Sequence, residues 1–245
     1  MAALEVAMTD RVNKDRKIVG AIFSSIAPVY DALNRSLSLG QDVKWRRELV
    51  RGADLPEDGL VLDLCTGTGD VALAFMTERP DFKGLVYAID FSAPMVNKAR
   101  DKIAKLGAPY PRRVDFLMGD ATDLQFADDK FDVATVAFGV RNLTHTWLGL
   151  AEMNRVLKPG GQANILEFFP DGIAGGFVRW YLNHVMPLVG NIVSHTRAYT
   201  YLRRSSEEFF TRKEFEQLLV TAGFKDISWT RLTHGIAHIV RARKG

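Results

Sequence analysis

VLDLCTGTGD, residues 61–70, decides the fold, because an apolar strand carrying Val61, Leu62 and Leu64 runs there into a glycine turn and then a helix. Asp58-Gly59 bounds the strand upstream and Gly67-Thr68-Gly69 bounds it downstream. The glycines let the backbone turn tightly and bring its N–H groups close to a ligand, while the helix opened by Asp70 favours negative charge at its N-terminus. With Ala72, the turn fits the nucleotide-binding pattern GxGxxG/A, which several ligand classes share.

Asp63 separates those classes. A carboxylate near the strand's C-terminal end repels a pyrophosphate and suits a ligand that carries an ammonium and a sulfonium, which favours S-adenosylmethionine over NAD. A structural role, with Asp63 only holding the turn, is the competing reading of that residue alone.

The 245 residues suit one large α/β domain with an insertion rather than two full domains. With 47% apolar and 25% charged residues the composition is that of an ordinary globular protein. A net charge of +3 is too small to indicate a nucleic-acid protein. The single Cys65 excludes a disulfide framework within the chain and any multi-cysteine metal site, and its place at the end of a buried strand reads as packing. The first residues lack the pattern of a signal peptide, and no segment has the length of apolar sequence needed to span a bilayer, so the expected location is cytoplasmic.

Residues 1–14 read as a loose arm, and residues 15–26 as a helix that Pro28 stops. Residues 1–58 together form an arm and a helical cap, in which Tyr30, Asp31 and Asn34 cluster; the cap is either plain core cover or a wall of a substrate pocket. Residues 84–90, GLVYAID, form a second buried strand ending in Asp90, placed to take the hydroxyls of a ribose, with Ser92 available to cap the next helix. A third strand leads into Gly119-Asp120-Ala121, where Asp120 could accept from an adenine amino group. Residues 131–137 form a fourth strand followed by Phe138-Gly139-Val140-Arg141-Asn142. Thr146 then caps a helix that residues 158–161, KPGG, terminate, and residues 162–168 form a fifth strand. Strands alternating with helices predict a doubly wound parallel sheet over residues 59–168.

Residues 169–210 break that alternation with an apolar insertion in which Trp180, Tyr181 and Arg179 are interleaved. Composition leaves an amphipathic lid at a lipid interface and helices packed on the core equally open. In residues 211–245, Thr211 to Glu214 is a capping box that starts a helix, and strands over 226–232 and 236–242 are joined by Thr233-His234-Gly235 as an antiparallel hairpin.

These stretches together resemble the UbiE/COQ5/MenG family of S-adenosylmethionine-dependent quinone C-methyltransferases. LDLCTGTGD, AIDFSAPMVNKAR and GDATDLQF are shared with class I methyltransferases at large. IAPVYDALNRSLSLGQDVKWRREL, FGVRNLT, EMNRVLKPGG, MPLVGNIVSHTRAYTYLRRSSEEFF and LTHGIAHI are more specific to the quinone-methylating family. Thr66 stands where the family usually has Cys or Gly, Gln125 replaces a proline, and Phe210-Thr211 replaces an FP pair.

The resemblance implies a Rossmann-like sheet of seven strands, the last antiparallel. It implies S-adenosylmethionine as cofactor, held by Asp63, Thr66, Gly67, Thr68, Gly69, Asp90, Phe91, Gly119, Asp120 and Ala121, and a lipid quinol as substrate. The acceptor would be the ring carbon of demethylmenaquinol or a 2-polyprenyl-6-methoxy-benzoquinol, activated by loss of a phenolic proton. Arg141, Asn142 and Tyr30 are the expected catalytic residues, with Arg141 stabilising the phenolate, since a guanidinium whose pKa is above about 12 is a poor base. His145, His184, His195, His234 and His238 are held in reserve as bases, and no metal is expected.

Three alternatives compete with that reading. A nucleic-acid methyltransferase of the adenine type would carry an Asn/Asp-Pro-Pro-aromatic turn where residues 137–140 read AFGV. A class I enzyme for another small hydrophobic acceptor, or a non-catalytic cofactor-binding subunit of a quinone-biosynthesis complex, stays open. So do a homodimer and peripheral contact with the inner face of the membrane through residues 169–210.

Overall fold

A computed structural model describes residues 16–172 and 205–245. The N-terminal arm and most of the apolar insertion, with His184 and His195, lie outside the described residues.

Three helices precede the sheet: α1 (Arg16–Ile26), α2 (Tyr30–Leu37) and α3 (Gln41–Arg51). The first stops just before Pro28, whose ring disfavours helical backbone at the residue before it. Gly40, at φ +75°, makes the sharp entry into α3, which buries Trp45, Arg46, Leu49 and Val50.

The alternation then begins with β1 (Leu60–Leu64), α4 (Asp70–Glu78), β2 (Leu85–Asp90), α5 (Ala93–Ala104) and β3 (Val114–Met118). It continues with β4 (Phe131–Ala137), α6 (Thr146–Val156), β5 (Leu157–Glu167), α7 (Arg212–Thr221), β6 (Phe224–Leu232) and β7 (Ala237–Lys244). The seven strands lie in the order β3-β2-β1-β4-β5-β7-β6. The first five are parallel and β7 is antiparallel to both of its neighbours, as expected.

Side chains alternate across the sheet. Leu62 and Leu64 pack on one face with Ile165, Val240 and residues of α6 and α7. Val61 packs on the other with Val133, Ile239 and residues of α3, α4 and α5. The same alternation turns Asp63 toward the face that α3 and α4 cover, next to Arg46.

Several local expectations are corrected. The helix before β5 ends at Val156, and residues 158–161 form a bulge inside the strand, so that Leu157 pairs with Phe131 and Gln162 with Val133. Ser92 occupies the N-cap of α5 without a capping bond, and its hydroxyl lies 3.2 Å from that of Ser24 in α1. The N-cap of α6 is His145, with Thr146 one residue inside. The Thr211–Glu214 capping box is present, with Glu214 Oε2 accepting from the Thr211 N–H at 2.8 Å.

Candidate active site

At the end of β1 the chain enters a loop with Cys65 at φ +52°, Gly67 at +56° and Gly69 at +79°. A Cβ on Gly67 would meet nothing within 4 Å, whereas one on Gly69 would lie 2.9 Å from the Ala99 Cβ and 3.2 Å from the Phe116 ring. Gly67 therefore leaves space for a ligand, and Gly69 lets α5 and β3 close on the loop.

Asp63 is fully buried and accepts from the Thr66 hydroxyl at 2.6 Å and the Thr135 hydroxyl at 2.8 Å. Burial raises its pKa from 3.8 to about 7, against the opposing pull of those hydroxyls and of Arg46. A carboxylate placed this way is stabilised by an incoming cation. Thr66, where the family has Cys or Gly, thus joins the site as a donor to Asp63.

Asp90 closes β2. Its Oδ2 accepts from the Gly67 N–H at 2.8 Å and its Oδ1 from the Ser92 N–H at 2.9 Å, tying the loop to the second strand. Burial again raises its pKa. Asp120 Oδ1 accepts from the Thr122 N–H at 2.9 Å and the Thr122 hydroxyl at 2.8 Å, so it also builds the turn after β3.

Two clefts adjoin at the carboxyl ends of these strands, where open α/β sheets bind ligands. One, about 390 Å³ including its open mouth, is lined by Val19, Asp90, Phe91, Gly119, Asp120, Ala121 and Asn142. The other, about 300 Å³ on the same basis, is lined by Tyr30, Arg46, Asp63, Thr66, Gly67, Thr68 and Asp70. Cys65 lines both, so the two clefts meet at the end of β1. Burial pushes the Cys65 thiol well above its usual pKa, which suits a packing residue and not a nucleophile.

The cap is also a wall of this site. Val19 of α1 lines the first cleft, and Tyr30 of α2 and Arg46 of α3 line the second. Asp31 accepts from the Thr68 hydroxyl at 2.5 Å and pairs with Lys102 at 3.2 Å, joining α2 to the glycine loop and α5. Although burial raises the Asp31 pKa, those two partners outweigh it and hold it below the usual value.

Beyond β4, Phe138 sits at φ +59° and the Val140–Asn142 turn carries Arg141. Arg141 is 3% exposed and pairs through Nη1 with Glu167, the last residue of β5, which is fully buried. Its guanidinium lies 5.3 Å from the Phe168 ring centroid and 5.8 Å from that of Phe138. Its Nε is buried and has no hydrogen-bond partner among the described residues. Phe138, Phe168 and Trp45 form an aromatic cluster, with the first two rings 4.6 Å apart, and Trp45 Nε1 donates to the Thr233 hydroxyl at 2.8 Å.

The three expected catalytic residues are not gathered at one point, and Arg141 lines neither cleft. Tyr30 lines the second cleft, where burial raises its pKa against the pull of Arg46, Asn34 and Arg141. Asn142 lines the first cleft, and its amide donates to the Phe138 carbonyl at 3.1 Å, bracing the turn. His145 caps α6, His234 sits in the β6–β7 turn, and His238 lies on β7 between Phe169 and Trp229. None of these three lines either cleft. Among the described residues no cluster of His, Cys, Asp and Glu could hold a metal ion.

Sequence reasoning missed Arg46, Glu167, Phe138 and Phe168. Glu167 had the same signal as Asp63 and Asp90, a carboxylate closing an apolar strand. Arg46 had none, since adjacent Arg46 and Arg47 look alike until α3 is docked.

The strand order, the antiparallel β7 and the carboxylates at the tips of β1 and β2 define a class I S-adenosylmethionine-dependent methyltransferase. The fold matches that of a methyltransferase from Thermotoga maritima, described as a possible histamine N-methyltransferase, with a TM-score of 0.66 at 20% identity, covering 93% of this chain and all of that one. In sequence the chain is 42% identical to the ubiquinone/menaquinone biosynthesis C-methyltransferase UbiE of Geobacter sulfurreducens, covering 95% of this chain and 94% of that protein. It is 41% identical to the demethylmenaquinone methyltransferase of Thermus thermophilus, covering 89% and 97%. The ubiE/COQ5 methyltransferase family model matches residues 9–244, and the chain belongs to that family. It is an enzyme that uses S-adenosylmethionine as methyl donor.

Proposed function

We propose that this chain methylates a ring carbon of a reduced polyprenyl quinone precursor, demethylmenaquinol or a 2-polyprenyl-6-methoxy-benzoquinol. The names of its relatives point to that substrate class. The observation that carries it is the buried Arg141, set against Phe138 and Phe168 with its Nε unpartnered. A flat apolar ring bearing an anionic oxygen matches that combination of aromatic surface and unsatisfied cationic donor.

The residues present fit the cofactor, because Asp63 is a buried carboxylate lacking a full counter-charge and Gly67 leaves open space beside it. Asp63, Thr66, Gly67, Thr68 and Gly69 would hold its amino-acid end, and Asp90, Phe91, Gly119, Asp120 and Ala121 its nucleoside. When bound, it supplies an electrophilic methyl group.

Arg141 stabilises the developing phenolate of the acceptor, which makes the adjacent ring carbon nucleophilic. Glu167 keeps the guanidinium in place, with its Oε1 also accepting from the Phe168 N–H at 2.8 Å. Tyr30, kept neutral by burial, presents a hydroxyl that donates to the ring's oxygens. Asn142 acts on the turn carrying Arg141, so its role is positioning.

Among the described residues no helix is long and apolar enough to cross a membrane. The apolar composition of residues 169–210 supports a peripheral contact at the inner membrane face, where a polyprenyl substrate is dissolved.

The test incubates the protein with labelled S-adenosylmethionine and each demethyl-quinol, followed by mass analysis of the lipid. One methyl added at a ring carbon is expected. Binding of the donor with transfer to neither quinol would defeat this assignment, and unchanged turnover by Arg141→Ala would remove Arg141 from the mechanism.

A further inference from the structure

We propose that Arg46, on cap helix α3, is the residue that recognises the carboxylate of the methyl donor's amino-acid end. The inference rests on the S-adenosylmethionine site described above and adds the half of the zwitterion that Asp63 cannot hold.

Position is the first argument. Arg46 is 6% exposed, yet it lines the same cleft as Asp63 and residues 66–68. Asp63 feels its charge, so the two opposite groups face one small volume. An α-amino acid needs such a pair, a carboxylate for its ammonium and a forked cation for its carboxylate.

The second argument is preorganisation. Arg46 Nη1 donates to Asp42 Oδ2 at 2.8 Å and to the Asp42 carbonyl at 3.1 Å. Asp42 is itself held by the Ser38 hydroxyl at 2.8 Å. The guanidinium lies 5.4 Å from the Phe138 ring centroid. One nitrogen thus fixes the side chain, while Nε and Nη2 make no hydrogen bond among the described residues.

The third argument is charge. The ion pairs around Arg46 join the cations Arg35, Arg46, Lys98 and Lys102 to the anions Asp31, Asp42 and Asp70. The cluster is one negative charge short of neutral, and a ligand carboxylate supplies it. Asp63 does so only in part, because burial disfavours its charged form.

The test is calorimetric binding, without acceptor, of S-adenosylhomocysteine, its decarboxylated amine analogue and 5′-methylthioadenosine, which lacks the amino-acid end. The wild type should prefer S-adenosylhomocysteine over the decarboxylated analogue. Arg46→Gln should weaken S-adenosylhomocysteine by about 10- to 100-fold, the effect of losing a charge-assisted hydrogen-bonded pair. That variant should bind the decarboxylated analogue nearly as the wild type does and leave methylthioadenosine unchanged, which also reports an intact fold. If Arg46→Gln does not fold, Arg46→Lys, which keeps the charge without the fork, should show a smaller loss of the same selectivity. Asp42→Asn should do likewise, by loosening the guanidinium. Retained preference for the carboxylate in the folded Arg46 variants would overturn the proposal, and so would equal weakening of both amino-acid-bearing ligands. Failure of the wild type to bind S-adenosylhomocysteine would instead defeat the donor site itself.

Discussion

Asp63→Asn is the substitution with the most informative pH dependence. Asp63 titrates near 7 in the folded protein against 3.8 in the unfolded chain, because burial disfavours its charged form. A raised folded pKa contributes stability that is full below about pH 4 and is lost as the pH climbs through 7. Three pH units at about 1.4 kcal/mol each put the loss on the order of 4 kcal/mol for the ligand-free protein. Asparagine has the same shape, can still bond to Thr66 and Thr135, and carries no charge.

The variant should therefore match the wild type near pH 4 and exceed it in stability at pH 8. Asp90, whose pKa burial also raises, leaves a slope of the same sign in both proteins, so the comparison is of the two curves and not against a flat line. Ligand binding should show the mirror image. Wild-type affinity for S-adenosylmethionine should rise by about tenfold per pH unit between roughly 5 and 7, as the carboxylate that faces the ammonium ionises. The variant should bind weakly, without that component. Urea denaturation of the ligand-free proteins and calorimetry across pH 4–8 give both curves. Parallel stability curves, or an unchanged pH dependence of affinity, would refute the reasoning.

Other substitutions separate packing from chemistry. Glu167→Gln leaves the Arg141 charge buried without its counter-charge, so unfolding free energy should fall by about 3–5 kcal/mol in denaturant titrations. Turnover of the quinol should fall with it, whereas donor affinity measured by calorimetry should hold. Gly67→Ala must adopt a left-handed backbone at a cost of about 1–2 kcal/mol, and its methyl enters the ligand space, so donor affinity should suffer most. Gly69→Ala adds a 2.9 Å contact with Ala99 to the same backbone cost, so its thermal stability should fall further than that of Gly67→Ala. Thr211→Ala removes a helix cap, and a loss of about 1 kcal/mol with unchanged methyl transfer is expected.

Local and periodic features were legible without a structure. Apolar runs closed by Asp63 and Asp90, glycines at the first turn, a capping box at Thr211 and a hairpin around His234 depend on neighbours along the chain, and they led to the fold and to the residues that line its clefts at the strand ends. Even there, cap positions at Ser92 and His145 and the bulge at residues 158–161 depended on contacts made from elsewhere. Whether a strand-tip carboxylate is free or paired is likewise a matter of what docks on it. Asp63 keeps a place for a cation, whereas Glu167 is claimed by Arg141 across neighbouring strand ends.

The amino-acid sequence by itself determined a doubly wound sheet and the acidic residues that close its first two strands, because helical crossovers between parallel strands bring their carboxyl ends to one edge of the sheet. Only the tertiary structure decided that the cap walls the cleft beside Asp63, that Arg46 and not Arg47 lines it, and that Arg141 is held by Glu167. Those pairings join residues far apart in the chain, and their energies depend on burial, which no local pattern encodes. VLDLCTGTGD thus specifies one wall of the site, and the packing of α1, α2 and α3 against it supplies the other.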